Sequence, residues 1–129
     1  MATIEKFEDI EAWQKARELT RQIYMVSNDG AFASDFGLRD QICRASVSIM
    51  SNIAEGFGRG GNKEFIQFLS MAKGSASEVQ AQLYIALDAG YISDKQFQKL
   101  YSSTEETARL IGGLLRYLRN NDFKGSKYK

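Results

Sequence analysis

The sequence predicts an all-α protein, an antiparallel up-down-up-down four-helix bundle, and three observations predict it. Apolar residues recur at three- and four-residue intervals in four separate runs. Short clusters of Gly, Ser, Asn and Asp separate those runs. No segment sustains the two-residue alternation of a half-buried strand. Proline is absent, so helices must end at glycine and polar clusters instead. Helices with one apolar stripe each and short connections pack as antiparallel sequential neighbours.

The first run is Ala12, Ala16, Leu19, Ile23 and Val26, with Asp9 as candidate N-cap and Ser27-Asn28-Asp29-Gly30 as the exit. The second is Leu38, Ile42, Ala45, Ile49 and Ile53, capped by Ser34 or Asp35. It is expected to stop at Gly56-Phe57-Gly58-Arg59-Gly60-Gly61, because each helical glycine costs ~1 kcal/mol against alanine. The third is Phe65, Phe68, Ala72, Ser75, Val79, Gln82/Leu83 and Ala86, opened by Asn62 and closed by Gly90, a span of roughly 42 Å. The fourth opens with Ser93-Asp94-Lys95-Gln96, a capping box in which Ser93 and Gln96 satisfy each other's amides. Its run is Phe97, Leu100, Thr104, Thr107, Ile111, Leu114 and Leu118. The expected organisation is a lead-in over 1–8, the bundle over 9–120 and a flexible basic tail over 121–129.

Composition narrows the function. The 129 residues suit one domain with an autonomous core. No apolar window is long enough for a membrane span, and the acidic N-terminus does not resemble a signal peptide, so a cytoplasmic location is expected. The single cysteine, Cys43, has no disulfide partner, and histidine is absent. Zinc or redox sites are therefore not expected, nor any cofactor, and histidine-based triads are excluded. Net charge is +1, but residues 116–129 carry five cations against Asp122, a local +4, leaving −3 over the rest. That segment is either a solvated end or an anionic-partner contact.

One feature departs from a simple amphipathic pattern. Gln41, Arg44, Ser48, Asn52, Glu55 and Arg59 follow one another at 3-4-4-3-4 spacing, within an arc of about 80°. The apolar stripe of that helix is centred roughly 90° away, so the polar stripe lies beside the core. Arg44 with Ser48, and Asn52 with Glu55, stand at pairing distance along the helix. Three readings stay open: a hydrogen-bonded layer fixing register, a subunit interface, or a ligand or nucleic-acid site. Small residues Ala72, Gly74, Ser75 and Ala76 allow close helix approach.

Other motifs fail on context. The glycine run matches GxGxxG, but a dinucleotide fingerprint needs a strand before it, and here a helix precedes it. It reads as an inter-helix loop with one exposed arginine near a helix N-terminus. Glu55 among Arg44, Arg59 and Lys63 suits a structural ion pair better than a general acid. Cys43 beside Arg44 reads as packing. Trp13 and the tyrosines are mostly bundle-edge aromatics; basic residues interleave with them only near Tyr117 and Tyr128.

Together, Phe7 through Ala16, Arg39-Asp40-Gln41-Ile42 with Arg44-Ala45, and Ser48 through Asn52-Ile53-Ala54-Glu55-Gly56 to Arg59 resemble a known family. Glu64-Phe65, Phe68-Leu69, Ala72, Gly74-Ser75 and Glu78 extend the likeness, which covers about residues 7 to 119. The sequence resembles the small bundle proteins encoded in intervening sequences of bacterial 23S rRNA genes, also called S23 ribosomal proteins. The resemblance implies a ring-shaped homopentamer. It also implies kinship with the accessory variability protein of diversity-generating retroelements, a basic pentamer that binds a reverse transcriptase and nucleic acid. The +1 charge departs from that basic relative.

The expected function is a non-enzymatic, homo-oligomeric scaffold accessory to RNA or a ribonucleoprotein, with no membrane partner or small-molecule substrate. Arg44, Arg59, Lys63, Arg116, Arg119, Lys124, Lys127 and Lys129 are the candidate anion contacts; Gln41, Ser48, Asn52 and Glu55 are register or interface residues. The alternative is a protein-interaction adaptor docking through Tyr91, Phe97 and Tyr101.

Overall fold

A computed structural model describes residues 3–121. After a 3-10 turn at Phe7–Asp9 come α1 (Glu11–Ser27), α2 (Gly30–Ser34), α3 (Phe36–Gly58), α4 (Asn62–Asp88) and α5 (Asp94–Asn120). The four long helices are those the apolar runs predict; α2 is a single added turn. The main packing runs α1–α3, α3–α4, α4–α5 and α5–α1, closing a four-sided all-α bundle. The turn after α3 and the end of α5 share one end of the bundle, here the terminal end. The α4–α5 loop and the start of α3 share the other.

Burial follows the predicted stripes. Leu19, Ile23, Ile42, Ile49, Ile53, Phe65, Leu83 and Ile111 are fully enclosed. Each such side chain contributes about 1.5–3 kcal/mol. The exposed ion pair Lys15–Glu106, at 3.1 Å, contributes at most about 1 kcal/mol, so apolar burial decides the fold. Leu69, Ala76 and Leu115 join the core beside the predicted residues, while Val26, Phe68, Ser75 and Leu114 are only half-buried. Buried Thr104 and Thr107 donate to the carbonyls of Leu100 (2.7 Å) and Ser103 (2.8 Å), so neither hydroxyl is orphaned.

The helix ends inside the glycine run, as expected, but not at its first glycine. Helix α3 does not stop at Gly56 but continues through it to Gly58. A Cβ at Gly56 would lie 2.6 Å from Phe68 Cβ and 3.1 Å from Phe65 Cδ1. The bare backbone is what lets α4 approach, and that packing outweighs the helix-propensity loss. Nothing lies within 4 Å of a Cβ at Gly58.

Caps fix the ends. Asp35 is the predicted cap of α3, its carboxylate accepting from the Leu38 amide at 3.1 Å. The Ser93–Gln96 box forms as expected, at 3.1 and 2.9 Å. Gly90, at φ +78, closes α4 in a Schellman arrangement with Tyr91 N donating to Ala86 O at 2.9 Å. Two expected caps are displaced. Asp9 sits in the 3-10 turn and accepts from the amides of Glu5 and Lys6, so Ile10 occupies the cap position of α1. Gly61 caps α4, while Asn62, its first residue, donates to Leu118 O at 2.8 Å and ties α4 to the end of α5.

The opposite end is held by Tyr91, which stacks on Phe32 at 5.3 Å and donates to Asp35 Oδ2 at 2.9 Å. That hydrogen bond, then burial, then the carboxylate charge raise the phenol above its ordinary value of 10.0.

Two outcomes follow. Gly56→Ala should lower unfolding free energy by about 1–3 kcal/mol in urea titration, whereas Gly58→Ala should raise it by up to about 1 kcal/mol. Because Tyr91 is a better acid unfolded than folded, its contribution is fully present below pH 10 and is lost as pH climbs through the raised folded-state value. Tyr91→Phe should therefore flatten the alkaline fall in stability; an unaltered fall would assign it to Tyr101, whose phenol is also raised.

Candidate nucleic-acid interface

Charged residues gather along the seam between α4 and α5. On α5, Tyr101, Glu105, Arg109, Gly112 and Arg116 recur at three- and four-residue spacing and so share one face. Lys73, Ser77 and Gln80 do the same on α4. These two rows line a groove of about 470 Å³. Three cations against Glu105 give the lining a net charge of +2.

The cations are lightly held. Arg109 lies 4.0 Å from Glu105, an exposed pair that contributes little. Lys73 and Arg116 make no ion pair among the described residues. A Cβ at Gly112 would meet Arg116 Nη1 at 3.7 Å, and one at Gly113 would meet Nη2 at 3.8 Å. The guanidinium therefore lies beside the glycine pair, and no ion pair occupies its donors among the described residues. At the groove's other end, Tyr101 packs with Tyr84 at 5.8 Å and Phe97 at 5.4 Å, and Tyr84 packs on Phe97 at 4.9 Å. Burial, then Tyr84 and Glu105, push the Tyr101 phenol above its ordinary value.

The sequence-derived residues distribute unevenly. Arg116 lines the groove; Lys63 and Arg119 are exposed at the same terminal end, in the first turn of α4 and last turn of α5. Arg59 is engaged, pairing with Glu55 at 2.7 Å and lying over the Phe68 ring at 5.1 Å. Arg44 is exposed on α3, roughly 22 Å along the helix from Arg59. Lys124, Lys127 and Lys129, with all but Asn121 of the expected tail, lie outside the described residues. Lys73 and Arg109 were not singled out from sequence. Their helical spacing was visible, but not which faces meet.

The polar stripe of α3 borders α4. Ser48 Oγ and Ser75 Oγ are 2.9 Å apart, and Asn52 Nδ2 donates to Ser48 O and Oγ at 2.9 and 3.0 Å. The helix pairs are thus Asn52 with Ser48 and Glu55 with Arg59, not the Arg44–Ser48 and Asn52–Glu55 pairs the spacing suggested. Gln82, 6% exposed, donates to Gln41 Oε1 at 3.5 Å, and its own Oε1 has no partner among the described residues. The aromatic patch expected for docking divides: Phe97 is buried, and Tyr91 is committed to Phe32 and Asp35. The glycine loop shortens to Arg59–Gly61, and no strand precedes it among the described residues. Among the described residues, no helix is long and apolar enough to cross a membrane, and no group of three or more His, Cys, Asp or Glu could hold a metal ion.

The family model for the 23S rRNA-intervening sequence protein matches residues 8–113. Among solved structures, the chain is similar to a protein of unknown function from the S23 ribosomal protein family of Bacteroides thetaiotaomicron. The two are 23% identical, with a TM-score of 0.75, over 82% of this chain and 99% of that one; a likeness at this level shows the fold. No curated protein matches the chain.

The serine pair makes a testable unit. Ser48→Ala, which takes the partner of the Ser75 hydroxyl and one acceptor of Asn52, should lower stability by about 1 kcal/mol; Ser75→Ala should cost less, because Ser48 Oγ still accepts from Asn52. The double variant should lose less than the sum, with a coupling of at least about 0.5 kcal/mol in denaturant titrations.

Proposed function

The chain belongs to the 23S rRNA-intervening sequence protein family, and on that premise we propose that it is a non-enzymatic, cytoplasmic, homo-oligomeric scaffold that binds RNA as an accessory to a ribonucleoprotein. The observation that carries this reading is the groove between α4 and α5. Lys73, Arg109 and Arg116 present weakly engaged charge along one seam of a nearly neutral chain. Lys63 and Arg119 extend that charge at the terminal end. A polyphosphate backbone is the partner such a row recognises, because each neutralised phosphate releases condensed counterions. The groove offers three cations, one serine hydroxyl, one amide and a phenol with one carboxylate, which suits binding over covalent chemistry.

Assembly belongs to the same proposal. A lining of +2 is modest in one chain, but copies in a closed oligomer add their contacts to one RNA. Among the described residues, Phe36 and Met25, 64% and 62% exposed, are the large apolar side chains most open to burial by a second copy. Homopentamer is the stoichiometry the family resemblance implies.

The test is RNA binding against salt. Nuclease-treated protein titrated with a structured ribosomal RNA fragment should bind below micromolar at ~50 mM salt and weaken steeply by ~200 mM. Arg109→Glu with Arg116→Glu should abolish binding at both. Absence of binding at the lower salt would overturn the proposal.

A further inference from the structure

We infer that the groove between α4 and α5 takes single-stranded RNA in preference to duplex, its phosphates on the arginine end and an unpaired base on the tyrosines at the other; this rests on the RNA reading above. The two ends of the groove differ chemically. Arg109 and Arg116 stand at one end, with Lys73 facing them from α4. Tyr101 stands at the other, joined by Tyr84 across the seam. From Tyr101 to Arg116 is fifteen residues of helix by their numbers, roughly 22 Å, enough for a few extended nucleotides.

Three features make the tyrosine end a stacking platform. Tyr84 is 50% exposed, so ring surface remains open after it has packed on Phe97 and Tyr101. Those contacts hold the ring in place, so little side-chain freedom is lost when a base arrives. Glu105 stands between the tyrosines and the arginines and disfavours a phosphate there, which leaves that end to a base.

A duplex cannot use this arrangement. Its bases are stacked inside, and A-form RNA shows proteins mainly phosphates and 2′-hydroxyls. It would engage the cations and leave the tyrosines unused. Unpaired bases can splay onto aromatic faces, and each such contact changes affinity by roughly five-fold or more.

The experiment is fluorescence anisotropy on the full chain, with a labelled oligouridine of about 12 nucleotides and an RNA duplex of about the same length, at ~50 mM salt. The oligouridine should bind on the order of tenfold more tightly than the duplex. Tyr84→Ala should remove most of that preference without weakening duplex binding, and Tyr84→Phe should retain it. Arg116→Ala should weaken both RNAs and lower the salt slope by about one. Arg21→Ala, which removes an equal charge from a cation paired with Glu18 on α1, should leave both affinities unchanged. Equal affinity for the two RNAs, or a silent Tyr84→Ala, overturns this inference while leaving RNA binding intact. Failure of both RNAs to bind overturns the underlying reading as well.

Discussion

The fold depends on one close approach, where α3 and α4 meet at a residue without a side chain. Gly56 places its backbone where a Cβ would stand 2.6 Å from that of Phe68. Interiors pack like crystals, so a displacement there would propagate along both helices. With the helices at this separation, Ser48 and Ser75 reach each other at 2.9 Å further along the seam, and Gln41 comes within reach of Gln82. Apolar burial brings the two helices together; the hydroxyl pair favours their register, because a slide of one turn would break the Ser48–Ser75 hydrogen bond.

The second seam of α4 has the opposite character. Toward α3 the helix presents Phe65, Phe68 and Ser75, and the space is filled. Toward α5 it presents Lys73, Ser77 and Gln80 across from Gly112, and the space stays open. Small residues act differently in the two places. Gly56 admits a neighbouring helix, whereas Gly112 and Gly113 admit the chain's own Arg116. Arg116 can lie across the helix because nothing projects from those two positions.

The sequence carried the architecture because burial follows periodicity. The four apolar runs became the four long helices, and Asp35, Gly90 and Ser93 acted as their chemistry predicts. Local propensity misled where a tertiary contact overrode it. The glycine run ends α3 as read, yet Gly56 itself stays in the last helical turn, where it lies against Phe68 of the next helix. Asn62 reads as a cap for its own helix, yet its amide serves the carbonyl of Leu118, fifty-six residues away in sequence. The candidate groove was less legible for the same reason. Arg109 and Lys73 each show helical spacing, but only the packing of α4 on α5 makes them opposite walls of one groove. Arg44, by contrast, belongs to a stripe that borders the other seam.

The order of packing around the bundle has an entropic meaning. Three of the four seams join helices that follow one another along the chain, so each closes with a short loop. Only the α1–α5 seam requires residues nearly a chain-length apart to meet, and it carries one exposed ion pair, Lys15–Glu106. Loop-closure entropy makes such a contact more costly to form than one between helices joined by a short connection. The α1–α5 seam thus acts as the clasp of the ring: it alone joins the first long helix to the last, and it carries the largest loop-closure cost of the four.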